Sequence, residues 1–235
     1  MIEIHLKNPF PHRSIIQNTI VWAHLHEITL RGSIIMESTI NKAVSVPISG
    51  IDVTAFQNME EAVSSVFTLE NRVIPGFALA MNAEKVMSAR SNPMVKKVLK
   101  LATLRYADGI GVVLALRRKG IVSTKIAGCE LWEQIMARAG KHGTRVFLVG
   151  AHSSVLKTTV DKLRSTQQVN VVGFQDGFFD SSDEQAVLDK IVELKPEIVT
   201  VAMGSPRQEK FIAMCRKLHP SAFYMGVGGT YDVYV

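Results

Sequence analysis

The residue best suited to acid–base chemistry in this 235-residue chain is Asp108, which follows a short apolar segment and precedes Gly109. In open parallel sheets, ligands bind beyond the carboxyl ends of the strands, so a carboxylate that follows a strand lies where chemistry takes place. There it can accept a proton from a hydroxyl group that acts as a nucleophile. An Asp-Gly pair is also typical of a plain turn, and the residues alone leave both interpretations open.

Small and polar residues end several other apolar segments, among them Asn82, Gly150, Gly204-Ser205-Pro206 and Gly228-Gly229-Thr230. A helix that begins near Pro206 points free backbone N–H groups at that place, which favours phosphate. Turn geometry explains each glycine taken alone. Their recurrence at successive strand ends predicts a ligand that carries phosphate.

The residues after Pro206 are Arg207, Gln208 and Glu209. Gln208 can hydrogen-bond a base, a ribose or a sugar, and has less structural reason to be there than its neighbours. Glu209 has two interpretations, because a carboxylate in the first turn of a helix is favourable for the helix dipole without any function.

Two common phosphate-binding patterns, GxxxxGK[ST] and GxGxxG, do not occur in the sequence. The second absence argues against a nicotinamide-dependent oxidoreductase on a similar sheet. There is also no DxD pair for a divalent ion, since Asp180 and Asp183 have the wrong spacing and are more typical of a helix cap. We therefore expect no metal and no cofactor.

Composition is that of a globular protein, with 47% hydrophobic residues and a net charge of +6. The charge is concentrated between positions 82 and 145, where thirteen Lys or Arg residues face four acidic residues, a net charge of +9. Such a region attracts diphosphates or an acidic lipid surface, although a solvated basic face is an equally good interpretation. Aromatic residues do not alternate with these charges, which argues against a nucleic-acid partner.

No apolar run is long enough to span a membrane, no signal peptide is present, and two distant cysteines fit the cytoplasm.

The elements that must position these residues alternate between apolar strands and amphipathic helices from Ile51 onward. This alternation predicts an α/β fold: a Rossmann-like, doubly wound and mainly parallel sheet with helices on both faces. Residues 1–35 lack a clear period, so we expect an extension outside a domain at 36–235. The predicted strands are 76–81, 104–107, 145–149, 169–172, 197–203 and 222–227, and the predicted helices include 56–67, 131–139, 153–164, 183–194 and 206–218.

Seven segments in order make the chain recognisable, and together they resemble the WecG/TagA/CpsF glycosyltransferase family over roughly Ile51 to Asp232. They are Asn82-Ala83-Glu84-Lys85, Tyr106-Ala107-Asp108-Gly109, Ala127-Gly128 with Leu131-Trp132-Glu133, Val146-Phe147-Leu148-Val149-Gly150, Gln175-Asp176-Gly177-Phe178-Phe179, Ala202-Met203-Gly204-Ser205-Pro206-Arg207-Gln208-Glu209 and Met225-Gly226-Val227-Gly228-Gly229-Thr230-Tyr231-Asp232.

The resemblance implies an inverting, metal-independent transfer of N-acetyl-D-mannosaminuronic acid from a UDP donor. The implied acceptor is undecaprenyl-diphosphate-linked N-acetylglucosamine at the inner face of the cytoplasmic membrane, in enterobacterial common antigen biosynthesis. Asp108 would be the general base. The expected substrate-binding residues are Asn82, Lys125, Arg207, Gln208 and Glu209, and the expected nucleotide-binding residues are Gly150, Gly204, Ser205, Pro206, Gly228, Gly229, Thr230 and Asp232.

The sequence departs from the family pattern at Ala80, where threonine is common, and at Lys125, where arginine is common. Lysine keeps the charge but loses the bidentate fork of arginine. Members usually continue with a basic C-terminal appendage, so the resemblance predicts a truncated chain, whose uncovered apolar surface a homo-oligomer could bury. Two alternatives stay open: transfer of neutral N-acetylmannosamine, as in teichoic-acid synthesis, and nucleotide binding without catalysis.

Overall fold

Eight strands form one sheet in the computed structural model, which describes residues 43–180 and 182–235. The strands are β1 (Ser45–Ile48), β2 (Ile51–Thr54), β3 (Gly76–Met81), β4 (Leu104–Ala107), β5 (Arg145–Gly150), β6 (Asn170–Gln175), β7 (Ile198–Ala202) and β8 (Phe223–Gly226). The helices of the described residues are α1 (Met59–Ser64), α2 (Ala83–Ser91), α3 (Pro93–Leu99), α4 (Ile110–Arg117), α5 (Gly128–Lys141), α6 (Ser153–Gln167), α7 (Glu184–Leu194), α8 (Arg207–Leu218) and α9 (Thr230–Tyr234).

The strand order is β1-β2-β4-β3-β8-β7-β5-β6, and every neighbouring pair except β1–β2 is parallel. The first half of the chain supplies β1 to β4 and the second half supplies β5 to β8. The two halves meet where β3 pairs with β8, with Phe77 opposite Tyr224. All parallel strands end at the same edge, which is where loops from both halves come together.

Two buried clusters cover the two faces of the sheet, because successive strand side chains point to opposite faces. Phe77, Leu79 and Met81 of β3 pack with buried residues of α2, α3, α4, α7 and α8. Ala78 of the same strand packs with α1, α5, α6 and α9, where Trp132 is the largest buried side chain. The predicted α/β fold with helices on both faces is confirmed.

Most predicted elements are present, with differences at their ends. The strand at 76–81 is confirmed. Pro93 begins the second of two consecutive helices, and Asn92 caps that helix. The helix predicted over 56–67 is shorter, since Asn58 caps it and Phe56 and Phe67 are buried in flanking irregular backbone. The helix predicted over 131–139 is longer, because apolar periodicity marks only its buried stretch.

The antiparallel hairpin β1–β2 was not predicted. Its two-residue turn, Ser49-Gly50, has positive φ at both positions, 52° and 76°, as tight hairpin turns require. Each strand has only four residues, too few for an alternating pattern to stand out.

The predicted boundary at residues 35 and 36 lies outside the described residues and stays a prediction. Residues Ala43–Val235 form one compact unit. In that described part of the chain, no helix is both long and apolar enough to cross a bilayer.

Candidate active site

The carboxyl edge of the sheet collects side chains and turns from four adjacent strands. Asp108 follows β4, Asn82 follows β3, Gly228 follows β8 and Gly204 follows β7. Neighbouring strands lie about 4.8 Å apart, so this row extends over about 14 Å. The sheet therefore brings the predicted base and the predicted phosphate-binding turns to one edge of the molecule.

Asp108 is held between β3 and the start of α5. Its backbone N–H donates to the carbonyl of Met81 at 2.9 Å, and the backbone N–H of Gly128 lies near enough to its carboxylate to lower its pKa. A Cβ atom on Gly128 would lie 2.9 Å from the Tyr106 hydroxyl and 3.3 Å from Asp108 Oδ2. A glycine at position 128 thus makes room for the carboxylate.

Burial raises the pKa of Asp108 above its ordinary value, and the charge of Glu130 adds to the effect. The backbone N–H of Gly128 and the positive charges of Lys125 and Lys85 oppose this rise. A raised pKa makes the carboxylate a stronger proton acceptor, as a general base requires.

Lys85 is the site residue that sequence reasoning missed. Its ammonium group donates to the Ala80 carbonyl at 3.1 Å and lies 3.7 Å from Glu209 Oε1. The Lys85 side chain is 19% exposed and that of Glu209 is 0% exposed. Burial lowers the pKa of Lys85, while the negative charges of Glu209 and Asp108 oppose that change. The sequence did contain a signal for this role. Lys85 lies three residues after Asn82, which caps α2, and a side chain in the first turn of a helix can reach back to the end of the preceding strand.

Gln208 is buried and bonded on both sides of its amide. Its Oε1 accepts the backbone N–H of Gly228 at 3.0 Å, and its Nε2 donates to Glu209 Oε1 at 3.3 Å. Gln208 therefore joins α8 to the turn after β8. The sequence had predicted a contact with substrate for this side chain and did not predict this link within the protein. Glu209 Oε2 is buried with no hydrogen-bond partner, although Lys85 neutralises the carboxylate.

The predicted nucleotide-binding glycines differ in their surroundings. A Cβ atom added at Gly204, Gly228 or Gly229 would meet no atom within 4 Å, so these turns border open space. Gly150 is buried, with φ at 114°, and a Cβ atom there would lie 2.2 Å from the Ala202 carbonyl oxygen. Close packing of β5 against β7 thus accounts for Gly150 without a ligand.

Several other predicted residues make contacts within the protein. Asn82 caps α2, with Oδ1 accepting the Lys85 N–H at 2.9 Å. The Thr230 hydroxyl donates to the Val227 carbonyl at 2.6 Å, and Asp232 is exposed on α9. Lys125 is exposed.

Arg207 donates to the carbonyls of Gly177 and Phe179, at 2.8 Å each. Its guanidinium lies 5.3 Å from the ring centre of Phe179. These contacts hold the loop after β6 against the start of α8. The substrate contact predicted for Arg207 therefore involves a side chain that is already bonded to this loop.

A pocket of about 220 Å³ lies between α2, α3 and the turn after β7. Its polar lining includes Asn82, Lys85 and Ser205, and its apolar lining includes Val98 and Leu99. Across positions 43–180 and 182–235, no three His, Cys, Asp or Glu side chains converge as metal ligands would.

The chain matches a known protein family. The model of the glycosyl transferase WecG/TagA/CpsF family matches residues 46–235 of this chain. The matched region starts within β1, ends with α9 and contains every residue of the site described above.

Proposed function

The chain belongs to the WecG/TagA/CpsF glycosyltransferase family, and we propose that it transfers N-acetyl-D-mannosaminuronic acid from a UDP donor to undecaprenyl-diphosphate-linked N-acetylglucosamine. The observation that carries this proposal is the shared sheet edge: a carboxyl group with a raised pKa follows β4, and turns that border open space follow β7 and β8. The product would be a lipid-linked disaccharide for enterobacterial common antigen.

In the proposed reaction, a hydroxyl oxygen of the acceptor attacks the anomeric carbon of the donor. Asp108 takes the proton of that hydroxyl as the new carbon–oxygen bond forms. The bond between the anomeric carbon and the diphosphate breaks, and UDP leaves with the electron pair. A single displacement of this kind inverts the configuration at the anomeric carbon.

The departing diphosphate needs positive charge around it. The N-terminus of the twelve-residue helix α8 points backbone N–H groups toward the turn at Gly204, Ser205 and Pro206. Lys85 lines the same pocket as Ser205 and Pro206. The positive end of the α8 dipole supports our proposal that the transfer is metal-independent.

A donor with a carboxylate calls for a cation near its sugar. Lys125 is exposed and close enough to Asp108 for its charge to oppose the raised pKa of that carboxyl. We assign Lys125 as the partner of the donor carboxylate. An exposed cation in this place favours a donor that carries a carboxylate, the uronic acid, over neutral N-acetylmannosamine.

The acceptor is anchored in a membrane, and we propose that the protein works on the inner face of the cytoplasmic membrane. Met87, Met94 and Ile110, on α2, α3 and α4, are 59%, 66% and 64% exposed. They lie in the same part of the chain as the basic surplus between positions 82 and 145. Exposed apolar side chains among basic ones suit the surface of an anionic bilayer.

The test compares UDP-N-acetylmannosaminuronate with UDP-N-acetylmannosamine on the lipid-linked acceptor, with and without EDTA. We expect faster transfer from the uronic acid, unchanged by EDTA. Lys125→Gln should lower kcat/KM for the uronic acid and leave the neutral donor almost unaffected, since only the first donor carries the carboxylate. Preference for the neutral donor would contradict the assigned substrate, and UDP binding without any transfer would indicate a non-catalytic nucleotide-binding protein.

A further inference from the structure

The pocket of about 220 Å³ between α2 and α3 has two unlike walls. The wall on α2 is polar and includes Lys85 and Ser88, which lie three residues apart and so share one side of the helix. The wall on α3 is apolar and consists of Val95, Val98 and Leu99, at helical spacings of three and four. Such a pocket suits a ligand that is polar at one end and hydrocarbon at the other. None of the roles assigned above uses the apolar wall.

The polar end of the pocket is continuous with the site around Asp108. Asn82 lines the pocket, and a Cβ atom on Gly109, the residue after Asp108, would lie 3.5 Å from Asn82 Cα. Lys85 also lines the pocket, and its charge and that of Asp108 each shift the pKa of the other. A ligand that fills the pocket therefore has its polar end beside the proposed base.

The apolar wall continues from the interior of the protein to its surface. Leu99 is buried, Val98 is half-buried, and Met94, one helical turn before Val98, is 66% exposed. Apolar side chains that continue from a pocket into water mark a path for an apolar ligand, since a closed core would cover them. The pocket thus leads from the site to the outside along α3.

The helix that carries the apolar wall is positively charged. Between Pro93 and Lys100 the sequence contains three lysines, Lys96, Lys97 and Lys100, and no acidic residue. Lys97 and Lys100 are exposed. Positive charge of this kind raises the local concentration of anionic ligands without contacting them directly. The charge therefore favours an anionic amphiphile over a neutral apolar ligand.

We propose that the pocket between α2 and α3 binds the isoprene units nearest the diphosphate of the lipid-linked acceptor. This inference rests on the proposed function, since it assumes a polyprenyl diphosphate acceptor. The acceptor sugar then lies near Asp108, its diphosphate lies along the polar wall, and its first isoprene units lie against Val95 and Val98. The rest of the chain leaves the protein past Met94, toward the bilayer.

The test measures sugar transfer to two water-soluble acceptors, N-acetylglucosamine diphosphate esterified with geraniol or with methanol, so that affinity for a bilayer plays no part. The readout is the ratio of kcat/KM for the geranyl ester to kcat/KM for the methyl ester. We expect the wild type to prefer the geranyl ester about ten-fold or more, because each buried methylene group strengthens binding about four-fold.

Val98→Asn should lower this ratio about five-fold or more through the geranyl ester alone, because the methyl ester does not reach the apolar wall. Val98→Leu should keep the preference, since leucine is also apolar. Val192→Asn is the matched control, because Val192 is 37% exposed and lies on α7, away from the pocket lining, and it should keep the wild-type ratio.

An unchanged ratio in Val98→Asn, or a wild type without preference for the geranyl ester, would overturn the proposal. Equal losses on both esters would overturn it as well, because they would indicate a structural role for Val98. An unchanged ratio with weaker sedimentation on anionic vesicles would instead make this wall a bilayer contact.

The proposed function fails separately, when the wild type transfers sugar to neither ester. Calorimetry with geranyl diphosphate and methyl diphosphate then tests the pocket by itself. Tighter binding of the geranyl compound that is lost in Val98→Asn would keep the apolar pocket and remove the transferase. Equal binding of the two compounds by the wild type would overturn both.

Discussion

The groups around Asp108 shift its pKa in opposite directions. Burial and the charge of Glu130 raise its pKa, while Gly128, Lys125 and Lys85 lower it. The proposed general base acts as a carboxylate, so transfer should weaken as the pH falls through this pKa. The raised pKa places that loss of activity at a higher pH than an ordinary aspartate, whose pKa is about 3.9, would give.

Two exposed neighbours allow the direction of this effect to be tested. Glu130→Gln removes a negative charge that raises the pKa of Asp108, so the acid limb of kcat/KM against pH should move to lower pH. Lys125→Gln removes a positive charge, so the limb should move to higher pH. Both side chains are exposed, and added salt should therefore shrink both shifts.

The measurement is the pH profile of kcat/KM at low and high salt, with the neutral donor used for Lys125→Gln. Shifts of the two variants in the same direction, or an acid limb that neither variant moves, would contradict Asp108 as the group that titrates.

At the scale of elements, a buried ion pair reinforces the β3–β8 junction between the two halves of the chain. Lys85 belongs to α2 of the first half and Glu209 to α8 of the second, and they meet beside the β3–β8 junction. Sequence reasoning found the strands and the glycine turns, because those depend on neighbours along the chain. It missed Lys85, since its partner is 124 positions away and only the strand order brings them together.

Removing one member of this pair should be costly. Lys85→Met leaves the carboxylate of Glu209 buried without its cation, and we expect a loss of about 3 to 5 kcal/mol in the free energy of unfolding. The double variant Lys85→Met/Glu209→Gln should recover more than half of that loss, because no unpaired charge remains. Denaturant unfolding of the three proteins measures both values.

Lys85→Arg is the matched control, since it keeps the positive charge. A loss below 1 kcal/mol in Lys85→Met, or no recovery in the double variant, would show that the pair does not join the two halves.

At the scale of the whole molecule, the α/β class was predictable and the strand order was not. Alternating apolar strands and helices predict a parallel sheet, but nothing in the order of segments states that β3 will pair with β8. That pairing decides which loops become neighbours. The sequence therefore predicted which residues lie at the carboxyl edge. It did not predict the contacts among Lys85, Gln208 and Glu209, because these depend on the strand order.

The same edge explains why one carboxyl group can matter to the whole molecule. Asp108 lies at one end of the row, and the open turns at Gly204 and Gly228 continue it across β8 and β7. In the proposed transfer, that carboxylate takes a proton while the diphosphate leaves nearby.

The most direct test is the rate of sugar transfer by Asp108→Asn, with Asp161→Asn on the exposed face of α6 as control. Asparagine keeps the shape but cannot accept the proton, so we expect at least a hundred-fold loss in kcat. Asparagine also removes a carboxylate whose ionisation burial disfavours, so the melting temperature at neutral pH should be unchanged or higher. UDP affinity and transfer by Asp161→Asn should match the wild type. A folded Asp108→Asn protein that transfers sugar at the wild-type rate would contradict the account.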